Sequence, residues 1–146
     1  MCKKLFLLTS FILVLGMATV GSAALEGWWP LDGNANDASG KDRHGTLFGD
    51  PLFEAGVVGQ AIAFDGVDDY VNIDGYKGIN AIDGVQQPFS IANWFKITAT
   101  TGDHEMVTWG TNVGTQRLTW RVHEGRLRTE HGSGNLRGNT YVNDGE

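Results

Sequence analysis

Short runs in which apolar and polar residues alternate recur along the chain after residue 25, punctuated by Gly and Asp, and none sustains a helical period. The pattern predicts strands over 27–31, 45–48, 61–65, 70–73, 89–97, 105–109, 117–122, 126–130 and 140–142. Within 117–122, Leu118, Trp120 and Val122 share one side of a period-2 element, and Arg117, Thr119 and Arg121 share the other. Val107 and Trp109 oppose Met106 and Thr108 in the same way. Asp-Gly pairs beginning at 32, 65, 74, 83 and 144 supply turns, because Asp tolerates and Gly permits positive φ. Trp120, Val122 and Leu127 flank a short loop at Glu124-Gly125, which reads as a hairpin. The stretch 75–88 is the longest connection and has room for one helical turn. Strands with one dry side hide it by stacking in pairs of sheets, so the expected fold is an all-β, antiparallel two-sheet β-sandwich. Trp94, Trp109 and Trp120 align with apolar neighbours and are expected in its core.

The beginning of the chain follows a different pattern. Lys3 and Lys4 precede an apolar run over 5–20, and Gly21, Ser22, Ala23 and Ala24 follow it. A basic start, a short greasy middle and small residues at the end form a secretory signal peptide, here over 1–23. The run falls short of the roughly 20 unbroken apolar residues that span a bilayer, and it contains Thr9 and Ser10, so no transmembrane segment is expected. Cys2, the single cysteine, leaves with the peptide. The mature domain, 24–146, is expected outside the cell or at its surface, and holds together without a disulfide.

Composition narrows the function. The 146 residues carry 11 Lys and Arg against 17 Asp and Glu, and this acidic balance argues against nucleic acid, whose binders present a basic excess to phosphate. With 41% hydrophobic residues the chain can collapse into a fold. The charge is uneven: 24–103 holds 4 basic and 12 acidic residues, whereas 104–137 holds 5 basic and 3 acidic ones.

Three segments, taken in order, resemble the laminin G-like jelly rolls of the concanavalin A-like lectin and glucanase superfamily. They are Gly27-Trp28-Trp29-Pro30-Leu31-Asp32-Gly33-Asn34-Ala35-Asn36-Asp37 followed by Ser39-Gly40; Val58-Gly59-Gln60-Ala61 with Phe64-Asp65-Gly66-Val67-Asp68-Asp69-Tyr70-Val71; and Phe89-Ser90-Ile91-Ala92-Asn93-Trp94-Phe95. The first is similar to the family's opening strand and Asp-rich loop, the second to its hairpin, the third to its central strand. Order and spacing match over about residues 26–110. The resemblance implies further Trp- and Val-rich strands after Asp144-Gly145-Glu146, so the jelly roll is expected to be incomplete at its C-terminus, marginally stable and prone to associate. It also implies that the domain forms part of a larger multidomain protein.

Candidate chemistry is sparse. Retaining glucanases need two carboxylates about 5 Å apart, and no Glu-x-Asp-x-(x)-Glu strand occurs. Asp65, Asp68 and Asp69 sit in Asp-Gly-x-Asp-Asp, which reads as a hairpin turn whose carboxylates bond backbone amides. Asp32, Asn34, Asn36, Asp37 and Asp42, with Gly33 and Gly40 between them, offer hard oxygens on a flexible loop and are candidate ligands of a structural Ca²⁺, although the arrangement is not an EF-hand. The laminin G-like resemblance implies such an ion near loops of this kind. An ordinary loop of Asx turns accounts for the same residues.

Sugar rings stack their C–H faces on aromatic rings while their hydroxyls bond polar side chains. Trp28 and Trp29 are adjacent and point to opposite sides of a strand, so one of them is a candidate sugar platform or packs under a loop. Arg117, Arg121, Arg126 and Arg128, with His123 near the turn, share the polar side of the hairpin; Arg117, Arg121 and Arg128 are candidates for an anionic glycan through bidentate contacts. The plainer reading is a solvated face balanced by Glu124 and Glu130. His104, His123 and His131 are dispersed and read as surface or turn residues.

These readings point to a secreted, non-catalytic module that recognises carbohydrate on extracellular or cell-surface glycans. A protein–protein adhesion module with an extracellular protein partner is one rival. The N-terminal fragment of a glycoside hydrolase or lyase is the other. Fold alone does not decide among them.

Overall fold

The computed structural model describes residues 24–76, 78, 88–98, 101–110, 117–131 and 134–142. The leader over 1–23, most of the connection over 75–88 and the Asp-Gly pairs at 83 and 144 lie outside the described residues. What is described is all-β and antiparallel: β1 (Thr46–Phe48), β2 (Leu52–Ala55), β3 (Gln60–Ala63), β4 (Tyr70–Asn72), β5 (Asp103–Gly110), β6 (Arg117–His123), β7 (Arg126–His131) and β8 (Gly134–Tyr141). They form three sheets, with β1 beside β4, β2 beside β3, and a meander in the order β5-β6-β7-β8. Among the described residues, no helix is long and apolar enough to cross a membrane.

The first two sheets are nested. The β2–β3 hairpin lies in the chain between the two strands of the β1–β4 pair. This corrects the expected hairpin between 61–65 and 70–73, because β3 turns back onto β2 instead of forward onto β4. The reason is local: Pro51 and Gly56 bracket β2, and the Gly56 amide donates to Gly59 O at 3.0 Å, closing a turn that brings β3 back along it. Phe48 and Tyr70 then meet as a cross-strand pair with rings stacked 4.7 Å apart.

The two connectors between these sheets, at 49–51 and 64–69, are tied together by one side chain. Asp69 accepts from the Asp50 amide through Oδ1 and from the Asp65 amide through Oδ2, both at 2.9 Å. Gly49, at φ 71°, makes room: a Cβ there would lie 2.1 Å from Asp69 Oδ1.

The meander carries the clearest side-chain segregation. Its β6–β7 turn is Glu124-Gly125 with φ values of 49° and 72°, the two positive values of a type I′ turn, whose twist suits a tight hairpin. One face gathers Val107 and Trp109 of β5, Leu118, Trp120 and Val122 of β6 and Leu127 of β7. Ala35, Leu118 and Val122 are the buried hydrophobic residues among those described. A bulge at Met106 shifts the β5–β6 register and puts Val107 and Trp109 on the apolar side.

Three further expectations change. Residues 27–31 are irregular loop, not strand, and 88–98 lie against β5 without joining a ladder. Phe89 packs on Trp109 at 5.6 Å and Asn93 Nδ2 approaches Met106 Sδ at 3.7 Å. Trp94, expected in the core, is 81% exposed. Apolar residues occur on both sides of this segment's alternation, so contact with β5 along one side leaves the other in solvent.

Candidate functional site

The polar face of the meander follows from the same alternation that makes its apolar face. Cross-strand partners share a face, and the register therefore sets out rows. Asp103, His123, Arg126 and Tyr141 form one row; Glu105, Arg121, Arg128 and Arg137 the next; Thr108, Thr119, Glu130 and Asn135 the third.

Arg121 and Arg128 are directly opposed, and two like charges in that position repel unless something bridges them. Glu130 is the bridge. Its Oε1 accepts from Arg121 Nη2 at 2.7 Å and pairs with Arg128 Nη2 at 2.8 Å, while Oε2 pairs with Arg117 Nη2 at 3.4 Å. From its other side, Arg121 Nη1 reaches Asp103 Oδ2 at 3.2 Å and Glu105 Oε1 at 3.9 Å. The Arg121 side chain is only 12% exposed, so these pairs are screened far less than surface ones. Thr108 Oγ1 donates to Glu105 Oε2 at 3.1 Å. Thr119 is fully buried in the middle of the face, and its hydroxyl has no hydrogen-bond partner among the described residues.

His123 Nδ1 donates to Asp103 Oδ1. This hydrogen bond outweighs desolvation and, with the Arg121 and Arg128 charges, holds the Asp103 carboxyl below its ordinary pKa. The pairing escaped the sequence reading because the partners are distant in the chain; only the β5–β6 register brings them together. Glu124, expected to balance the arginines, instead accepts from the Gly102 amide at 3.1 Å. Arg126 at the turn end has a different neighbour: its Cζ lies 4.3 Å from the Tyr141 ring centroid, a cation–π contact. Thus the structure gathers Arg117, Arg121 and Arg128 on one face, as the alternation implied, and adds Tyr141 at its edge.

Trp28 and Trp29 belong to a separate loop region, over 26–45, wound about Asp37. The Asp37 carboxylate accepts from the Trp28 amide at 3.0 Å, the Ser39 amide at 2.8 Å, Ser39 Oγ at 2.8 Å and the Arg43 amide at 3.2 Å. Burial pushes its pKa up, but these hydrogen bonds outweigh burial and hold the carboxyl well below the usual range. Trp29 is half-buried, folds over Gly27 and donates from Nε1 to Arg43 O at 2.8 Å, whereas Trp28 is 55% exposed. Arg43 pairs with Glu26 and lies over the Tyr76 ring at 4.2 Å. Of the two tryptophans, Trp28 is therefore the one able to serve as a platform.

Three of the five candidate calcium ligands, Asp32, Asn34 and Asp37, accept backbone amides. Asp32 Oδ1 accepts from the Gln60 amide at 3.0 Å and Asn34 Oδ1 from the Asn36 amide at 2.9 Å, and the Asp37 oxygens are occupied as above. Asn36 is exposed, and Asp42 faces solvent with His44 Nε2 at 3.9 Å. As placed, these residues form Asx turns and a carboxylate hub, not a converging set of free donors. Among the described residues, the three carboxylates that do converge are Asp65, Asp68 and Asp69, whose ligand atoms lie within 4.8 Å of one another. Asp65 Oδ1 accepts from the Val67 amide at 2.8 Å and Asp69 holds two amides, as expected for a turn.

Comparison with protein-family models, with curated proteins and with solved structures finds no match.

Proposed function

We propose that this chain is a secreted, non-catalytic carbohydrate-recognition module, whose three described sheets are portions of a two-sheet jelly roll, and that it binds extracellular glycan on the polar face of β5 to β8. The observation that carries this reading is the ion-paired network around Arg121 and Glu130. Sugar hydroxyls both donate and accept, and a face of planar guanidinium and carboxylate groups offers both roles at fixed positions. Because the charges hold one another in place, less ordering remains to be done on binding. An exposed tyrosine at the edge supplies the stacking surface. The carboxylates act here as acceptors for arginine; Asp103, held below its ordinary pKa, is an anion and not a proton donor near neutral pH.

The test is a glycan-array and calorimetric survey of the full chain, followed by Arg128→Gln and Tyr141→Ala. Binding that weakens in both variants while each still unfolds cooperatively supports the proposal. Binding that is untouched by both, or is lost instead on Trp28→Ala, moves the site to the Asp37 loop.

A protein–protein adhesion role has its own support in the exposed Leu52, Val58 and Val67 on and beside the β2–β3 hairpin. Protein-partner capture without glycan binding would favour it.

A further inference from the structure

The polar face of the meander carries five guanidinium groups, from Arg117, Arg121, Arg126, Arg128 and Arg137, and three carboxylates, from Asp103, Glu105 and Glu130. The distribution of ion pairs shows where the surplus falls. Glu130 serves Arg117, Arg121 and Arg128, and both Asp103 and Glu105 turn to Arg121. Arg126 and Arg137 have no carboxylate partner among the described residues. They stand at the β7–β8 side of the sheet, where Arg126 opposes Tyr141 and Arg137, one row along on the same face, opposes Arg128.

Three features make this corner more than a solvated pair of charges. Arg126 is not free to wander: its guanidinium is held over the Tyr141 ring, and its Nε is buried without a hydrogen-bond partner. Tyr141 is 58% exposed although its ring carries a cation on one side, so ring surface remains in water beside the Arg126 guanidinium, with Arg137 in the neighbouring row. Asp103 and Glu105 turn to Arg121, and Glu130 is shared by three arginines, so the two guanidinium groups here are the positive surplus of the face, and an anion approaching it is drawn to them.

We infer that the Arg126, Arg137 and Tyr141 corner selects an acidic sugar, seating a ring-borne carboxylate or sulfate on the two guanidinium groups while the pyranose stacks on the tyrosine. The inference rests on the carbohydrate reading above and adds to it the ligand's chemical class and the residues that choose it. Arg117, Arg121 and Arg128, which the sequence alone offered for this task, are already engaged by Glu130 and act as the frame. A guanidinium meets a carboxylate or sulfate through two parallel hydrogen bonds, and the contact is charge-assisted.

The experiment is calorimetric titration of the full chain with three oligosaccharides of equal length: a uronic acid oligomer, a sulfated neutral-backbone oligomer and the unmodified neutral oligomer. The acidic probes should bind about tenfold more tightly than the neutral one at low ionic strength, with the difference shrinking as salt rises. Arg137→Gln and Arg126→Gln should each remove most of that preference, and Tyr141→Ala should weaken all three probes alike. Arg137 is exposed, so its variant reports on binding and not on folding. Whichever acidic probe is preferred names the source of the anionic group. Equal affinity for acidic and neutral probes would overturn this inference and leave the carbohydrate reading standing; failure of all three to bind would overturn both. A preference that survives in both variants but disappears in Arg128→Gln would overturn the assignment to this corner.

Discussion

Asp69 and Gly49 occupy complementary space: the carboxylate Oδ1 lies 2.1 Å from where a Cβ on Gly49 would be. That vacancy lets one side chain hold both connectors between the β1–β4 and β2–β3 pairs. Gly49→Ala must displace the carboxylate and adopt a left-handed φ of 71°, the latter alone costing about 1–2 kcal/mol. Asp69→Ala removes two solvent-exposed hydrogen bonds, at about 0.5–1.5 kcal/mol each. Urea denaturation of the two single variants and the double variant checks this, with the double variant costing less than the sum because the same bonds are lost.

Acid should weaken the loop wound on Asp37. Its carboxyl has a depressed pKa in the folded chain, so its contribution is fully present above the unfolded value, near 3.9, and is lost as pH falls below it toward the folded value. The expected profile is a melting temperature that declines on acidification through about pH 4. Asp37→Asn should lower the melting temperature at neutral pH and flatten that decline.

Arg121 is the most heavily shared cation of the polar face, contacted by Asp103, Glu105 and Glu130. Arg121→Gln is expected to cost about 1.5–3 kcal/mol, because a charge-assisted bond goes and carboxylates are left facing one another. Glu105→Gln, at the long end of the network, should cost about 0–1 kcal/mol. Chemical denaturation distinguishes the two.

Val122 is fully buried and Trp94 is 81% exposed. Val122→Ala should therefore cost about 1.5–3 kcal/mol, whereas Trp94→Ala should leave stability within about 0.5 kcal/mol. A large loss at Trp94 would mean that a further layer covers it.

Millimolar Ca²⁺ should have little effect on the Asp32 to Asp42 loop, since Asp32, Asn34 and Asp37 already accept backbone amides and Asp42 faces solvent apart from them. The check is the melting temperature in chelator and in millimolar Ca²⁺; a rise with Ca²⁺ would show an ion bound only to the native state.

Local features of the meander are legible in the sequence. Alternation in β6 and β7 and the Glu124-Gly125 turn are encoded within a few residues, so their faces follow from period 2. The polar face was visible for the same reason. Its internal pairing was not: Asp103 meets His123 only through strand register, and nothing local distinguishes Glu130, which binds three arginines, from Glu124, which binds a backbone amide. β2 went unread because Leu52 and Phe53 are adjacent in a four-residue strand, leaving no alternation to detect. Missing β2 also turned a nested arrangement into an apparent forward hairpin. Tyr141 lies beyond the turn that marks the arginine hairpin, and its role emerges only when β8 pairs with β7.

The nesting of β2–β3 inside β1–β4 imposes an order on chain closure. Bringing Phe48 to Tyr70 through a slack connection is entropically dearer than doing so once the inner ribbon has zipped from its Gly56–Gly59 bend and drawn the ends together. The outer clasp is thus fastened last and released first, which makes the stacked Phe48 and Tyr70 a sentinel for the earliest fraying of this half of the molecule.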